Sequence, residues 1–307
     1  MNEKIVCRVL TGPTASGKTE LGIRLAKEQG WDIFCMDSMQ IYRRMNIGTA
    51  KPTTDEMQKV PHHMMDICEP ADSYSVSDYR DTAFRLLTEL YSRGKSVLFV
   101  GGTTLYLKCM MHPMSMGRTP ANESLRAELN DQALTMQGRF ELHDRLRRID
   151  PVTADRLPVN DVRRIIRAIE VYEATGVPFS AQTSTAPDTD DHYSWKVVST
   201  QMDRSLLYER INQRVSEMIR KGLQNEVAAL LKEGIPETAQ SMNGIGYKEM
   251  IPCVRGECTP DEAAEMIMVH TRHYAKRQMT FLRTEKTIRY VRTDQEDAYD
   301  IIRSILI

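Results

Sequence analysis

Eight consecutive residues, Gly12-Pro13-Thr14-Ala15-Ser16-Gly17-Lys18-Thr19, set two glycines, a lysine and a threonine at the spacing of a phosphate-holding loop. The glycines permit a tight turn and bring backbone N–H groups close to an oxygen. Lys18 adds a cation, and the Thr19 hydroxyl suits a hard ion such as Mg²⁺. The loop does not choose its ligand. A diphosphate on any organic group offers the same oxygens as a nucleotide, so ATP is one reading among several. Asp37, followed by Ser38-Met39-Gln40, could bind magnesium, accept a proton, or merely cap a turn. Thr103, after Gly101 and Gly102, could present its hydroxyl to the same ligand or close an ordinary turn.

These groups can act together only if the elements carrying them meet. Residues 5–10 read as a buried strand leading into the loop, and Leu21, Leu25 and Ala26 give residues 20–28 a helical period. Two more apolar runs, 33–36 and 96–100, end on Asp37 and on Gly101-Gly102-Thr103. Short unbroken apolar strands alternating with helices indicate a parallel sheet whose ligand loops lie beyond the carboxyl ends of the strands. The three loops should therefore converge. From about residue 119 to 186 the pattern becomes helical and rich in Arg and Glu, broken by Pro151, Pro158 and Pro178. Residues 183–191 read as a loop, 195–199 as a returning strand, 206–232 and 260–283 as helices, and 288–291 as a last strand. No internal repeat is visible. The expected fold is α/β: a phosphate-loop parallel-sheet core from 1–118 and 191–307, with an all-helical insertion at 119–190.

The 307 residues suffice for such a core, and 41% apolar with 27% charged residues is ordinary globular composition. No apolar run reaches membrane-spanning length, and the N-terminus lacks a signal-peptide pattern, so a cytoplasmic protein is expected. The cysteines at 7, 35, 68, 109, 253 and 258 are scattered, and the Cys253/Cys258 pair has no histidines at zinc spacing, so reduced thiols are expected. His62 and His63, in a polar loop after Pro61, read as structural rather than as metal ligands. With a net charge of −1, evidence for a nucleic acid must be local. Arg139, Arg145, Arg147, Arg148, Arg156, Arg163, Arg164 and Arg167 form one basic segment. Arg272, His273, Lys276, Arg277, Arg283 and Lys286, beside Tyr274 and Phe281, form another. Each is either a solvated face or a surface for RNA phosphates and bases.

Several strings, taken in order, resemble the bacterial tRNA dimethylallyltransferases. They are Gly12 to Thr19, Asp37-Ser38-Met39-Gln40-Ile41-Tyr42, Gly48-Thr49-Ala50-Lys51-Pro52, Pro61-His62-His63, Gly101-Gly102-Thr103, Asn160-Asp161-Val162-Arg163-Arg164, Gly244-Ile245-Gly246-Tyr247-Lys248 and Tyr274-Ala275-Lys276-Arg277-Gln278. The resemblance implies transfer of a dimethylallyl group from dimethylallyl diphosphate to N6 of the adenosine next to the anticodon, in tRNAs reading codons that begin with U. It implies Asp37 as general base, with Thr103, Lys18 and Thr19 also catalytic, and Gly12 to Thr19 as the diphosphate holder with Thr19 on Mg²⁺. Positions implied to contact tRNA are Asp37, Ser38, Met39, Gln40, Thr103, Asp161, Val162, Arg163, Arg164, Ile165, Gly244, Gly246 and Tyr247. It further implies a helical insertion closing over the anticodon loop, a channel where the substrates meet, and a monomer. The sequence departs from the family pattern at Thr104, Leu157-Pro158-Val159 and Phe281, and no zinc-binding extension follows Ile307, as expected of the bacterial type. Two rival readings predict different chemistry. A small-molecule or nucleotide kinase would share the loop, sheet and helical lid but consume ATP. An RNA-binding nucleotide switch would need an Asn-Lys-x-Asp string, which is absent.

Overall fold

The computed structural model describes residues 4–112, 119, 121–182 and 192–307. It divides into two compact units, Met1–Met111 with Asp190–Ile307, and His112–Thr189. The first boundary lies several residues ahead of 118, directly after the helix Thr104–Met111, whose Tyr106, Leu107, Cys109, Met110 and Met111 are buried in the first unit.

The first unit is built on one six-stranded sheet: β1 (Ile5–Thr11), β2 (Asp32–Cys35), β3 (His62–His63), β4 (Val97–Val100), β5 (Tyr193–Gln201) and β6 (Arg289–Arg292). The order is β3-β2-β4-β1-β5-β6 and every pairing is parallel. All four residues of β2 and of β4 are buried, as continuous apolar strands covered on both faces require. Register then fixes where the loops emerge. Leu10 and Cys35 both pair with Val100, and Thr11 pairs with Ser199, so the strands end level and their following loops share one edge.

On one face, Ile23, Leu25 and Ala26 of the helix Lys18–Gln29 pack with Trp31, Leu98, Val100 and Val198, and with Tyr299, Ile302 and Leu306 of the helix Ala298–Leu306. In the helix Val76–Ser92, Tyr79 stacks on Tyr106 with ring centroids 3.8 Å apart and donates its hydroxyl to the Cys35 carbonyl, against the end of β2. A further core gathers Ile41, Tyr42 and Met45 with the helices Leu223–Lys232, Tyr247–Val254 and Pro260–Leu282.

Two local expectations are corrected. Residues 206–232 are not one helix: Arg204–Arg220 and Leu223–Lys232 are separated at Gly222, whose φ of 91° is left-handed and open to glycine at little cost. His62 and His63 do not lie in a loop but form edge strand β3. There the His63 ring nitrogen Nε2 meets the buried Asp32 carboxylate at 2.9 Å, which supports their structural role. The loop expected at 183–191 lies outside the described residues.

Among the described residues the second unit is all helix: Glu123–Gln132, Met136–Ile149, Pro151–Ala154, Val162–Thr175 and Phe179–Gln182. Pro151 opens a helix at its first turn, where a missing N–H costs nothing, and Asp150 caps it, its carboxylate accepting from Thr153 and Ser180. The unit's core is Leu129, Leu142, Leu146, Ile165, Ile166 and Ile169. Beside it, the buried Glu170 carboxylate receives Arg126, Arg167 and the Asn122 amide.

Candidate active site at the carboxyl ends of the strands

The loop after β1 is held in an uncommon conformation. Gly12 has a φ of 143°, and a Cβ there would lie 2.0 Å from the Thr200 hydroxyl. Ala15 has a φ of 64°, a left-handed geometry that costs about 1–3 kcal/mol and persists where the surroundings enforce it. They do so here. Ser16 Oγ and Thr200 Oγ1 share a hydrogen bond of 2.6 Å, Thr200 donates to the Thr11 carbonyl, and the Thr293 hydroxyl donates to the Ser16 carbonyl. Gly17 caps the helix Lys18–Gln29 with no side chain, so the first-turn amides keep their positive end available to an anion. Lys18 Nζ donates to the Pro13 carbonyl at 3.2 Å. Burial, reinforced by Arg214 and opposed by Asp37, brings its ammonium pKa down to about 8.

Thr14, Lys18, Thr19, Asp37, Gly101 and Arg214 line one cleft, with Gln40, Thr49, Ala50 and Pro52 also on its wall. The loops after β1, β2 and β4 do converge. Asp37 Oδ1 accepts from the Met39 amide at 2.9 Å and the Gln40 amide at 3.4 Å, while Oδ2 has no hydrogen bond among the described residues. The turn-capping reading of Asp37 thus holds for one carboxylate oxygen and leaves the other without a hydrogen bond among the described residues. Thr103 does more than close a turn: its amide donates to the Met36 carbonyl, and its hydroxyl accepts from the Ser38 amide at 2.9 Å. That approach needs Gly101, where a Cβ would stand 2.1 Å from the Met36 oxygen.

Other predicted positions support this cleft from behind. Gln40 Nε2 donates to the Thr49 and Ala50 carbonyls. Glu226 accepts from the amides of Asn46, Ile47 and Gly48 and from the Tyr247 hydroxyl at 2.6 Å. Met39 packs on Gly244, where a Cβ would come within 2.3 Å of the methionine methyl, and Gly246, with a φ of 101°, caps the helix of Tyr247. Tyr247 is fully buried, so its side chain packs the strap at residues 46–50 and has no surface for RNA.

In the helical unit, Asp161 stands at the N-cap of Val162–Thr175 and pairs with Arg164 at 3.1 Å. Arg163 and Arg164 are exposed and Val162 is half-buried. Ile165 is fully buried on the apolar face of that helix, so it too offers no side chain to a partner. The basic segment divides likewise. Arg145 pairs with Glu173 and Arg167 with Glu170, whereas Arg147, Arg148 and Arg156 stay exposed. In the second cluster, His273, Lys276 and Arg277 stand exposed with Phe281 around a shallow depression, and Lys108 lies 5.8 Å over the Phe281 ring.

Arg214 is the functional candidate the sequence reading missed. It projects from the helix Arg204–Arg220, with its Nη1 donating to the Thr14 hydroxyl at 3.5 Å, and Arg210 lies one turn earlier beside Gly17. Burial draws its pKa down, the charges of Glu217 and Asp37 oppose that, and Arg210 adds to it. The signal available was two arginines at i, i+4 on the helix following a core strand. Among the described residues, no group of three His, Cys, Asp or Glu could hold a metal ion, and all six cysteines are free thiols.

Fold and cleft together define a parallel-sheet α/β protein with a cleft at the carboxyl ends of its strands and a second, helical unit. A family model described as IPP transferase matches residues 40–285. A tRNA dimethylallyltransferase 2 of Geotalea uraniireducens is 45% identical over 289 residues, covering 94% of this chain and 93% of that protein. The tRNA dimethylallyltransferase of Carboxydothermus hydrogenoformans is 42% identical over 306 residues, 100% of this chain and 97% of the relative. The crystal structure of a tRNA isopentenylpyrophosphate transferase from Bacillus halodurans is similar with a TM-score of 0.71 and 38% identity, over 99% of this chain and 95% of that one. A eukaryotic dimethylallyltransferase acting on tRNA shares the fold with a TM-score of 0.79 at 23% identity, over 98% of this chain and 78% of that one. The chain belongs to the IPP transferase family.

Proposed function

We propose that the chain transfers a dimethylallyl group from dimethylallyl diphosphate to N6 of the adenosine next to the anticodon in tRNAs reading codons that begin with U, releasing diphosphate. The observation that carries this reading is the pairing, in one cleft, of an uncapped helix N-terminus flanked by Lys18 and Arg214 with the Asp37 carboxylate. An exocyclic adenine amine is a weak nucleophile because its lone pair is delocalised. It attacks the first carbon of the prenyl chain, the carbon–oxygen bond to diphosphate breaks, and the oxygen keeps the electron pair. Asp37 accepts the N6 proton, and Lys18, Arg214 and the loop amides stabilise the negative charge growing on the leaving group.

Thr19 lines the cleft, and one hydroxyl plus substrate phosphate oxygens fits Mg²⁺, which usually keeps several waters and binds through substrate phosphates. When bound there, Mg²⁺ would supply further charge neutralisation on the diphosphate. A paired adenine would hide its amine, so the acceptor is an unpaired loop base extruded from its stack at a cost of a few kcal/mol. Arg163, Arg164 and the neighbouring exposed arginines are suited to the RNA backbone. On this reading the chain acts as a monomer in the cytoplasm; no helix among the described residues is long and apolar enough to cross a membrane.

The kinase reading is tested in the same assay. Incubation with prenyl-labelled dimethylallyl diphosphate and tRNA should put label on RNA without ATP. Phosphate transfer from labelled ATP, with no label from the prenyl donor, would overturn the proposal.

A further inference from the structure

Gln278, on the helix Pro260–Leu282, is 2% exposed, and both ends of its amide are engaged at the cleft. Its Oε1 accepts from the Thr14 backbone amide at 2.9 Å, within the phosphate loop. Its Nε2 donates to the Gly102 carbonyl at 2.7 Å. Gly102 leads into Thr103, whose hydroxyl receives the Ser38 amide, and Ser38 follows Asp37. One buried side chain therefore joins the loop beneath the leaving diphosphate to the loop that orients the carboxylate.

This bridge is tightly built. A Cβ on Gly102 would lie 2.4 Å from Gln278 Nε2 and 3.2 Å from the Gly12 carbonyl, so the two loops approach as closely as glycine allows. Burying an amide is unfavourable unless its donor and acceptor are both satisfied, and here both partners are backbone groups of site loops. A side chain needed only to fill space could be apolar.

We propose that Gln278 is a positioning residue that fixes the separation between the diphosphate loop and the Asp37-bearing turn before either substrate binds. The inference rests on the donor and base assigned above. Reaction between two bound groups depends steeply on their alignment, and a displacement of about 1 Å can cost about 10²-fold in rate. Loss of the bridge should therefore slow the chemical step more than it weakens binding.

The test uses Gln278→Met, which keeps the volume and removes both hydrogen bonds, and Gly102→Ala, which leaves the amide in place but pushes it off the carbonyl. Single-turnover prenyl transfer to tRNA is measured alongside thermal unfolding and the dissociation constants for inorganic diphosphate and tRNA. The expected result is a rate about 10- to 100-fold lower in both variants, with both dissociation constants within about threefold of wild type. A residue needed only for folding would instead lower the melting temperature and the fraction of active molecules, leaving the rate per folded molecule unchanged. That result, or rates within twofold of wild type, would overturn the proposal. Should Gln278→Met fail to fold, Gln278→Glu carries the same readout, since it keeps the acceptor for Thr14 and loses the donor to Gly102. Absence of transfer by the wild-type chain would overturn the donor reading and this inference with it. Normal wild-type transfer with unaffected variants overturns this inference alone.

Discussion

Asp37 lines the cleft with one carboxylate oxygen fixed by the Met39 and Gln40 amides and the other without a hydrogen bond among the described residues, an arrangement that suits a base held still. Asp37→Ala should lower turnover by about 10²–10⁴-fold while tRNA affinity stays nearly unchanged, and parallel kinetic and binding titrations check both halves. Unchanged turnover would remove the base assignment. Lys18 gives a pH prediction of definite sign. Its ammonium is held down to about 8, so the free protein loses this cation as pH rises through that value. The terminal phosphate of the donor, with a second pKa of about 6, is already ionised there. Affinity for dimethylallyl diphosphate should therefore weaken between pH 7 and 9.5, and calorimetry showing a flat profile would contradict the proposed contact. At this scale the loop, Asp37 and Thr103 were legible because they are contiguous strings at strand ends. Arg214 and Gln278 were not, because they reach Thr14 from helices 200 and 264 residues further along the chain.

The strands determine where the residues meet, since β1, β2 and β4 end level and send their loops to one edge. Their unbroken apolar runs made them readable in the sequence. Two-residue β3 was not, because a strand that short has no period, and its place at the sheet edge comes from pairing with β2. The break at Gly222 was also missed, since the apolar spacing runs on through Leu223 and Val227 while one left-handed glycine redirects the chain. Tyr247 and Ile165 show the limit of carrying roles over by resemblance: both were implied to contact tRNA, yet their side chains hold elements together from inside. The helical unit depends on a buried charge in the same way. Burial alone would raise the Glu170 carboxyl, but hydrogen bonds from Arg126, the Asn122 amide and Arg167 lower its pKa. Its folded pKa lies below the unfolded value of about 4.3, so its contribution is complete above that pH and is lost as pH falls through the folded value. Glu170→Ala should destabilise this unit by about 3–5 kcal/mol at neutral pH, read from denaturant unfolding followed by a probe in the helical unit. A change below about 1 kcal/mol would show that the cluster is not needed.

For the whole molecule, a net charge of −1 gives no general attraction to RNA, so affinity must come from local patches such as the exposed Arg147, Arg148, Arg156, Arg163 and Arg164. Replacing Arg163 and Arg164 together with Ala should weaken tRNA binding and reduce the slope of log K against log salt by about 0.7–0.9 per lost phosphate contact. A wild-type slope in the double variant would take this segment out of the interface. The overall α/β plan and the helical second unit were legible from the change in periodicity and from matched strings spread along the chain. The boundary near residue 111 was set by burial of the helix Thr104–Met111, which composition did not reveal. The central claim is that the phosphate loop holds a leaving group and Asp37 deprotonates an RNA base. Its most direct test is a nucleoside digest after incubation of the chain with dimethylallyl diphosphate and an anticodon stem-loop, beside a stem-loop whose target adenosine is replaced by guanosine. The account predicts N6-prenylated adenosine from the first RNA alone, without ATP and abolished by Asp37→Ala. Modification of both RNAs, of neither, or undiminished modification by the variant would contradict it.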